Sequence, residues 1–204
     1  MQDNKYLDDL HEIRQMMRKS TLFLSLSGLS GVLGGVYALI GAAVVYKLLQ
    51  HHYLYYPYVI IESKTFKAII PVALLVLVAS VLTAYLFSMR KAKRNGEKLI
   101  TTTAKRAFYN FALPLLTGGA LCILLINNGH YGLLAPMTLI FYGLACVNVS
   151  KYTFGDVHYL GITEIILGLL AVQFSGYGLL FWSLGFGVCH LLYGGVMYFK
   201  YERR

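Results

Sequence analysis

Charged residues are scarce in this chain, and acidic residues are the scarcest. Only 13% of the 204 residues are charged, and Asp and Glu together number 9. A soluble domain of ordinary composition carries about 25% charged residues to cover its surface. Cysteine is rare too: Cys122, Cys146 and Cys189 lie in apolar runs, which is typical of small buried side chains rather than of a disulfide framework. The composition therefore excludes an ordinary soluble domain.

Catalytic and cofactor-binding motifs are also missing from the sequence. There is no HExxH pair, no serine nucleophile elbow, no phosphate-binding loop and no paired carboxylates. The histidines His51, His52 and His130 lack a recognised ligand spacing for zinc or copper. A transmembrane cytochrome would ideally have histidines that face one another across the bilayer core, whereas only His190 lies deep in a predicted span. We therefore expect no enzyme activity, no metal and no cofactor.

Long apolar runs dominate the chain instead, which is 57% hydrophobic. The run IIPVALLVLVASVLTAYLF (69–87) is continuously apolar, whereas barrel strands would alternate polar and apolar residues. About 20 apolar residues in a helix cross a hydrocarbon core of roughly 30 Å and satisfy their own backbone groups. We predict an all-α polytopic membrane protein, a bundle of six transmembrane helices. The predicted spans are 22–49, 67–88, 107–128, 130–149, 159–175 and 177–198.

Lys and Arg lie almost entirely on alternate sides of these predicted spans. Fifteen precede the first span or follow an even-numbered one, whereas Lys47, Lys64 and Lys67 lie on the other side. The positive-inside rule then puts both termini in the cytoplasm. The basic residues of 90–106 flank membrane helices, where we expect them to meet anionic lipid headgroups. That contact accounts for the net charge of +9 without nucleic acid.

The first 21 residues form a separate segment. Apolar residues recur at helical spacing from Leu7 to Met17, with acids and bases at the other positions. This pattern predicts a short amphipathic helix on the cytoplasmic surface, residues 1–21, followed by a transmembrane domain, residues 22–204. The helix could instead dock a cytoplasmic protein partner.

Small residues are concentrated in the first and last predicted spans. Gly31 and Gly35 form a GxxxG motif, and Gly194 and Gly195 stand together near the end of the chain. In lipid, small residues let helix backbones approach closely and pack by van der Waals contact. We predict that these four glycines pack helices within the bundle. A homo-oligomer or another membrane partner stays open as an alternative.

Two stretches carry a resemblance to a known family. EIRQMMRKSTLFLSLSGLSGVLGGVYALIGA (12–42) and FWSLGFGVCHLLYGGVMYFKYE (181–202) resemble a family of small six-span integral membrane proteins from Bacteroidetes-type bacteria. The resemblance implies the six-span topology and a location in the bacterial cytoplasmic (inner) membrane. It implies no chemistry, and no catalytic residues follow from it.

Two ionisable residues lie inside the predicted spans and away from their ends. Glu164 in the fifth span and His190 in the sixth are expected about 8 Å and about 10 Å from the cytoplasmic end, at a rise of about 1.5 Å per residue. Intramembrane charge is costly, so such residues usually face the bundle interior with a partner. We expect a Glu164–His190 contact between adjacent antiparallel helices.

Further polar groups are predicted at the same level and complete the candidate site. These are Asn110, Asn148, Thr163 and Tyr193. Together they predict a polar inner-leaflet cavity that binds or transports a small solute or ion, with Glu164 carrying the proton or cation. Two alternatives stay open. The pair could only fasten two helices together, or the protein could be an accessory or sensory subunit that docks a protein partner.

Overall fold

The computed structural model describes residues 27–53, 63–96 and 101–203. The predicted amphipathic segment, 1–21, lies outside the described residues. Seven α-helices are found within these ranges: α1 Gly28–Tyr53, α2 Ser63–Arg94, α3 Thr102–Asn127, α4 Leu134–Val149, α5 Asp156–Gln173, α6 Gly178–Trp182 and α7 His190–Tyr201. Short 3₁₀ turns flank α4, and a π-helical turn, Ser183–Cys189, joins α6 to α7.

Six of the described helical stretches are long and apolar enough to cross a membrane. They are Gly28–Leu49, Phe66–Arg94, Thr102–Asn127, Tyr131–Tyr152, Asp156–Gln173 and Gly178–Tyr201, here called spans one to six. Each provides the length that a hydrocarbon core of roughly 30 Å requires. The chain is therefore an all-α multi-pass membrane protein, as predicted. Apolar side chains on the outside of the bundle contact the bilayer.

Several span boundaries differ from the predicted ones by three to six residues, as at spans two, three and five. The helix of span two has 32 residues, or about 48 Å, so it extends well beyond a hydrocarbon core. Lys91, Lys93 and Arg94 stand in its last turn, where positive charge favours the helix dipole. Span five begins at Asp156 rather than at residue 159, with that carboxylate in its first turn. Charge at the helix ends therefore extends both helices past their apolar stretches.

The spans pack in an order different from their order in the sequence. Span two packs on span one, span one on span six, and span six on spans four and five. Span four also packs closely on span five and on span three. Spans two and three are consequently the most exposed within the described ranges, with most of their apolar side chains facing outward. Spans four, five and six surround the ionisable pair.

Spans one and six meet through glycines on both sides. A Cβ on Gly194 would lie 2.5 Å from Val32 N, and one on Gly31 would lie 3.3 Å from the Cα of Gly194. A Cβ on Gly35 would lie 2.7 Å from the carbonyl oxygen of Gly187. At Gly31, Gly35 and Gly194 the two helix backbones therefore approach closely. Gly195 differs, because no described atom of another helix lies within 4 Å of its Cβ position.

A second glycine contact, which was not predicted from the sequence, joins spans four and five. A Cβ on Gly143 would lie 2.6 Å from the carbonyl oxygen of Gly161, and one on Gly161 would lie 2.7 Å from that of Gly143. The two backbones therefore touch where neither helix has a side chain. This approach holds span five, which carries Glu164, against span four.

One end of the bundle collects most of the described charge, and we call it the basic end. Here Glu202 accepts hydrogen bonds from the Gly28 backbone N–H (2.6 Å) and the Ser27 hydroxyl (3.1 Å). Lys91 Nζ donates to the same carboxylate at 3.2 Å, and both side chains are only 9% exposed. Lys91 was predicted to meet lipid headgroups, but its ammonium group instead lies inside this cluster.

Candidate functional site

Glu164 and His190 lie near the middle of their spans. Glu164 is eight residues after Asp156 and nine before Gln173, or about 12 Å and about 13 Å along the helix. His190 likewise lies halfway between Gly178 and Tyr201. Glu164 therefore lies about 4 Å further from the start of its helix than predicted, because span five begins three residues earlier.

Glu164 is fully enclosed by protein, with 0% of its side chain exposed. Within the described ranges neither carboxyl oxygen has a hydrogen-bond partner. The carboxylate and the Leu139 side chain fill the space that a Cβ on Gly185 would need. Only glycine at position 185 therefore leaves room for the carboxyl group between spans five and six. Buried polar groups without partners are rare and often mark functional positions.

His190 provides the nearest polar atoms to this carboxyl group. Its Nδ1 lies 3.4 Å from Oε1 of Glu164, as the predicted contact requires. The same nitrogen lies 3.1 Å from the carbonyl oxygen of Gly185. A carbonyl oxygen only accepts hydrogen bonds, so Nδ1 carries the hydrogen. The imidazole therefore donates to its own helix and directs the same N–H group partly toward Glu164.

The other imidazole nitrogen contacts span four. Nε2 of His190 lies 2.8 Å from the hydroxyl of Tyr142. Because Nδ1 carries a hydrogen, Nε2 of a neutral imidazole accepts this bond, whereas an imidazolium would donate it. The Tyr142 hydroxyl can serve either state, since a phenol both donates and accepts. Glu164, His190 and Tyr142 thus connect three spans.

Aromatic rings surround the imidazole on its remaining sides. The Phe186 ring stacks on it with centroids 5.8 Å apart, and the Tyr142 ring is tilted against it at 5.3 Å. Phe111 packs edge-on against Tyr142, with a centroid distance of 6.0 Å. Rings of this kind exclude water and offer π faces to a positive charge. The imidazole therefore lies largely among aromatic rings, with 13% of its side chain exposed.

The backbone of span six is irregular at this point. Ser183–Cys189 is π-helical, and it contains Gly185 and ends directly before His190. A π turn holds about one residue more than an α turn and is frequent at functional sites. The His190 side chain bonds the Gly185 carbonyl within this turn. The turn thus places the Gly185 backbone beside the Glu164 carboxyl group. It also places the His190 imidazole within reach of the Gly185 carbonyl and of that carboxyl group.

The other predicted polar residues do not join the pair. Asn110 donates to the carbonyl oxygen of Arg106 at 2.8 Å, and Thr163 donates to that of Tyr159 at 2.9 Å, each within its own helix. Within the described ranges Asn148 and Tyr193 form no hydrogen bond with Glu164 or His190. The predicted six-residue cluster was therefore wrong in its membership, because the helix rotations direct these groups elsewhere.

An apolar groove of about 540 Å³ lies between spans one and two, away from this pair. It is lined by Tyr37, Ile40, Gly41, Val44, Pro71, Val72, Leu75, Val76 and Ala79. The Tyr37 hydroxyl is within hydrogen-bond distance of Thr83, 3.3 Å away. The lining is almost entirely hydrocarbon, so this groove is not the polar cavity that the sequence predicted.

Sequence reasoning missed two members of the site, Tyr142 and Gly185. Tyr142 stands in an apolar span between Phe141 and Gly143, where a tyrosine hydroxyl needs a partner. That requirement could have indicated Tyr142 as a site residue. The sequence gave no such indication for Gly185, because glycines are frequent throughout span six. For metals, the described residues contain no group of three or more His, Cys, Asp or Glu side chains arranged to hold an ion.

Comparisons of the chain with protein-family models, with curated proteins and with solved structures find no match. The resemblance carried by residues 12–42 and 181–202 therefore stays a prediction.

Proposed function

We propose that the protein carries a proton at the Glu164–His190 pair and uses it to move a small solute or ion across the membrane. The observation that supports this most directly is the fully enclosed Glu164 carboxyl group, which has no hydrogen-bond partner among the described residues. The proposed role is transport rather than catalysis. The bacterial cytoplasmic membrane is its proposed location, with the basic end inside.

The pair has the chemistry for reversible proton binding. A protonated carboxyl beside a neutral imidazole and a carboxylate beside an imidazolium have the same net charge. The pair can therefore hold one exchangeable proton on either residue without creating unbalanced charge at midspan. Because Nδ1 already carries a hydrogen, the proton that converts the neutral imidazole to the imidazolium binds at Nε2, which faces the Tyr142 hydroxyl. Loss of one proton from the pair leaves a single buried negative charge, which is costly in this environment. That cost favours binding of a proton or another cation in exchange.

A purely structural role for the pair is less consistent with its geometry. A fastening pair would bond its carboxyl oxygens to the neighbouring helix, as Glu202 does at the basic end. Here His190 Nδ1 bonds the Gly185 carbonyl, and the carboxyl oxygens of Glu164 have no such bond within the described ranges. The pair thus contributes little to holding spans five and six together, and its carboxyl group stays available to exchange a proton.

Anionic lipid headgroups are the proposed neighbours of the basic end. Its exposed basic side chains include Arg90, Lys93, Arg94, Lys105 and Arg106. Negative headgroups attract such residues within a Debye length of the surface. This contact supports the orientation and is not part of the transport site.

Proton flux in proteoliposomes tests the proposal. Vesicles enclosing a pH-sensitive dye would receive a potassium diffusion potential, with and without sodium and pH gradients. We expect wild type to change the internal pH faster than empty vesicles, and Glu164→Gln to match empty vesicles. Asp156→Asn is the matched control, because that carboxylate lies at the basic end and pairs with Lys200. Wild-type flux equal to that of empty vesicles under every gradient would reject the proposal.

A further inference from the structure

The π-helical turn Ser183–Cys189 lies between the ionisable pair and the interface of spans one and six. On one side, the Glu164 carboxyl group occupies the space that a Cβ on Gly185 would need. On the other, Leu39 Cγ of span one lies 2.8 Å from the Cβ position of Gly187. The same short turn therefore contacts the candidate site and the neighbouring helix.

We propose that this turn is a hinge that couples the protonation of Glu164 to the packing of span six on span one. The inference rests on the proposed function and concerns the regulation of that site. In the described state, the His190 N–H group bonds the Gly185 carbonyl oxygen at 3.1 Å. A carboxylate is a stronger acceptor than a carbonyl, and Oε1 already lies 3.4 Å from the same nitrogen.

Loss of the Glu164 proton therefore transfers the imidazole N–H from Gly185 to Glu164. The Gly185 carbonyl then loses its side-chain partner and keeps only the backbone bond of the π turn, which joins residues five apart. An α-helical turn gives that carbonyl the more common backbone bond to the N–H four residues later. Conversion from π to α turns the part of span six before residue 183 by up to about 100° relative to the part after 190. Gly187 would then lose its contact with Leu39 of span one.

The other described titratable groups around Glu164 do not compete with this change. They are the thiols of Cys146 on span four and Cys189 on span six, and the phenol of Tyr142. Thiols and phenols are ordinarily neutral near pH 7. His190 and Glu164 thus carry the charge change of the site.

Distance measurements between spin labels test the hinge. One pair of labels at positions 47 and 177 reports on the half of span six before the turn, since Lys47 and Tyr177 are exposed. A control pair at positions 29 and 199 reports on the half after it, since Leu29 and Phe199 are exposed. The labels require a background in which Cys122 and Cys189 are replaced by alanine. The protein would be studied in lipid nanodiscs across a pH series.

We expect the 47–177 distance to change by roughly 5–8 Å with pH, because a side chain moves by about a helix radius or more in such a rotation. The 29–199 distance should stay constant, and Glu164→Gln should hold the first distance at its low-pH value. Deletion of Val188, which removes one residue from the π turn, should abolish the pH dependence. If the deletion variant does not fold, the comparison of wild type with Glu164→Gln decides alone.

The hinge and the proposed function fail in different ways. Proton flux that depends on Glu164, together with an unchanged 47–177 distance at every pH, would overturn the hinge and leave the function intact. A distance change that persists in Glu164→Gln would overturn the hinge as well. Absence of wild-type flux would instead count against the function itself.

Discussion

The Glu202 carboxylate accepts a 2.6 Å hydrogen bond from the backbone N–H of Gly28, so the end of the last helix caps the start of span one. A helix N-terminus has unpaired N–H groups and a partial positive charge, which a carboxylate satisfies. Lys91 donates to the same group from span two. One side chain thereby connects three spans at the basic end.

Loss of the Glu202 carboxylate should therefore destabilise the bundle. Glu202→Ala removes a charged hydrogen-bond acceptor from a nearly buried cluster, so we expect a loss of about 2–3 kcal/mol. The free energy of unfolding can be measured in mixed micelles. Arg203→Ala, at the exposed neighbouring residue, should cost much less. Equal stability of the two variants would show that the Glu202 carboxylate does not stabilise the bundle.

Gly194 and Gly195 offer a test of helix packing by adjacent substitutions. A Cβ on Gly194 would lie 2.5 Å from Val32 N and 2.7 Å from Gly28 O, and backbone atoms cannot move aside cheaply. Gly194→Ala should cost about 1–3 kcal/mol in unfolding free energy. Gly195→Ala should be nearly neutral, since no described atom occupies its Cβ position. The reverse order would contradict the described approach of spans one and six.

Replacement of Glu164 by an apolar side chain of similar size should preserve or increase stability. Removal of a buried ionisable pair is often neutral or stabilising when the space is filled. Glu164→Met should therefore unfold at a temperature at least as high as that of wild type in a thermal scan, while proton flux is lost. A marked drop in unfolding temperature would instead favour the fastening role of the pair.

The Tyr142 hydroxyl should control the state of the His190 imidazole. Tyr142→Phe keeps the ring contacts with Phe111 and Phe186 but removes the partner of Nε2. We expect a loss of about 1 kcal/mol in stability and a changed ¹⁵N chemical shift at Nε2 in histidine-labelled protein. Tyr37→Phe breaks a comparable bond to Thr83 and should leave the His190 spectrum unchanged. Identical His190 spectra in wild type and Tyr142→Phe would contradict the described bond.

Sidedness can be checked with a membrane-impermeant thiol reagent. A cysteine at Arg94 should react only in inverted vesicles, whereas a cysteine at His130 should react in intact cells. Arg94 and His130 are both exposed and belong to opposite ends of the bundle. The prediction follows from the excess of Lys and Arg on one side. Labelling in the opposite pattern would invert the proposed orientation.

Local composition was enough to predict the architecture of this protein. Six apolar runs predict six helices because, in lipid, each backbone must satisfy its own hydrogen bonds whatever its neighbours are. The boundaries of spans two, three and five were less accurate, since charged residues extend these helices beyond the apolar stretch.

The Glu164–His190 contact was also predicted from the sequence, because two costly midspan groups on consecutive antiparallel helices are expected to face each other. The residues that surround this pair were not predicted correctly. Asn110 and Thr163 were expected to join and do not, while Tyr142 and Gly185 do. Which residues surround a carboxyl group depends on the rotation of each helix, and hydropathy carries almost no information about rotation.

The sequence by itself determined that the chain crosses the membrane six times and carries two ionisable groups within its spans. Only the tertiary structure decided that Glu202 caps span one and that Gly185 makes room for Glu164. Hydropathy is a property of each segment alone, whereas these contacts depend on how closely glycine faces let separate helices approach.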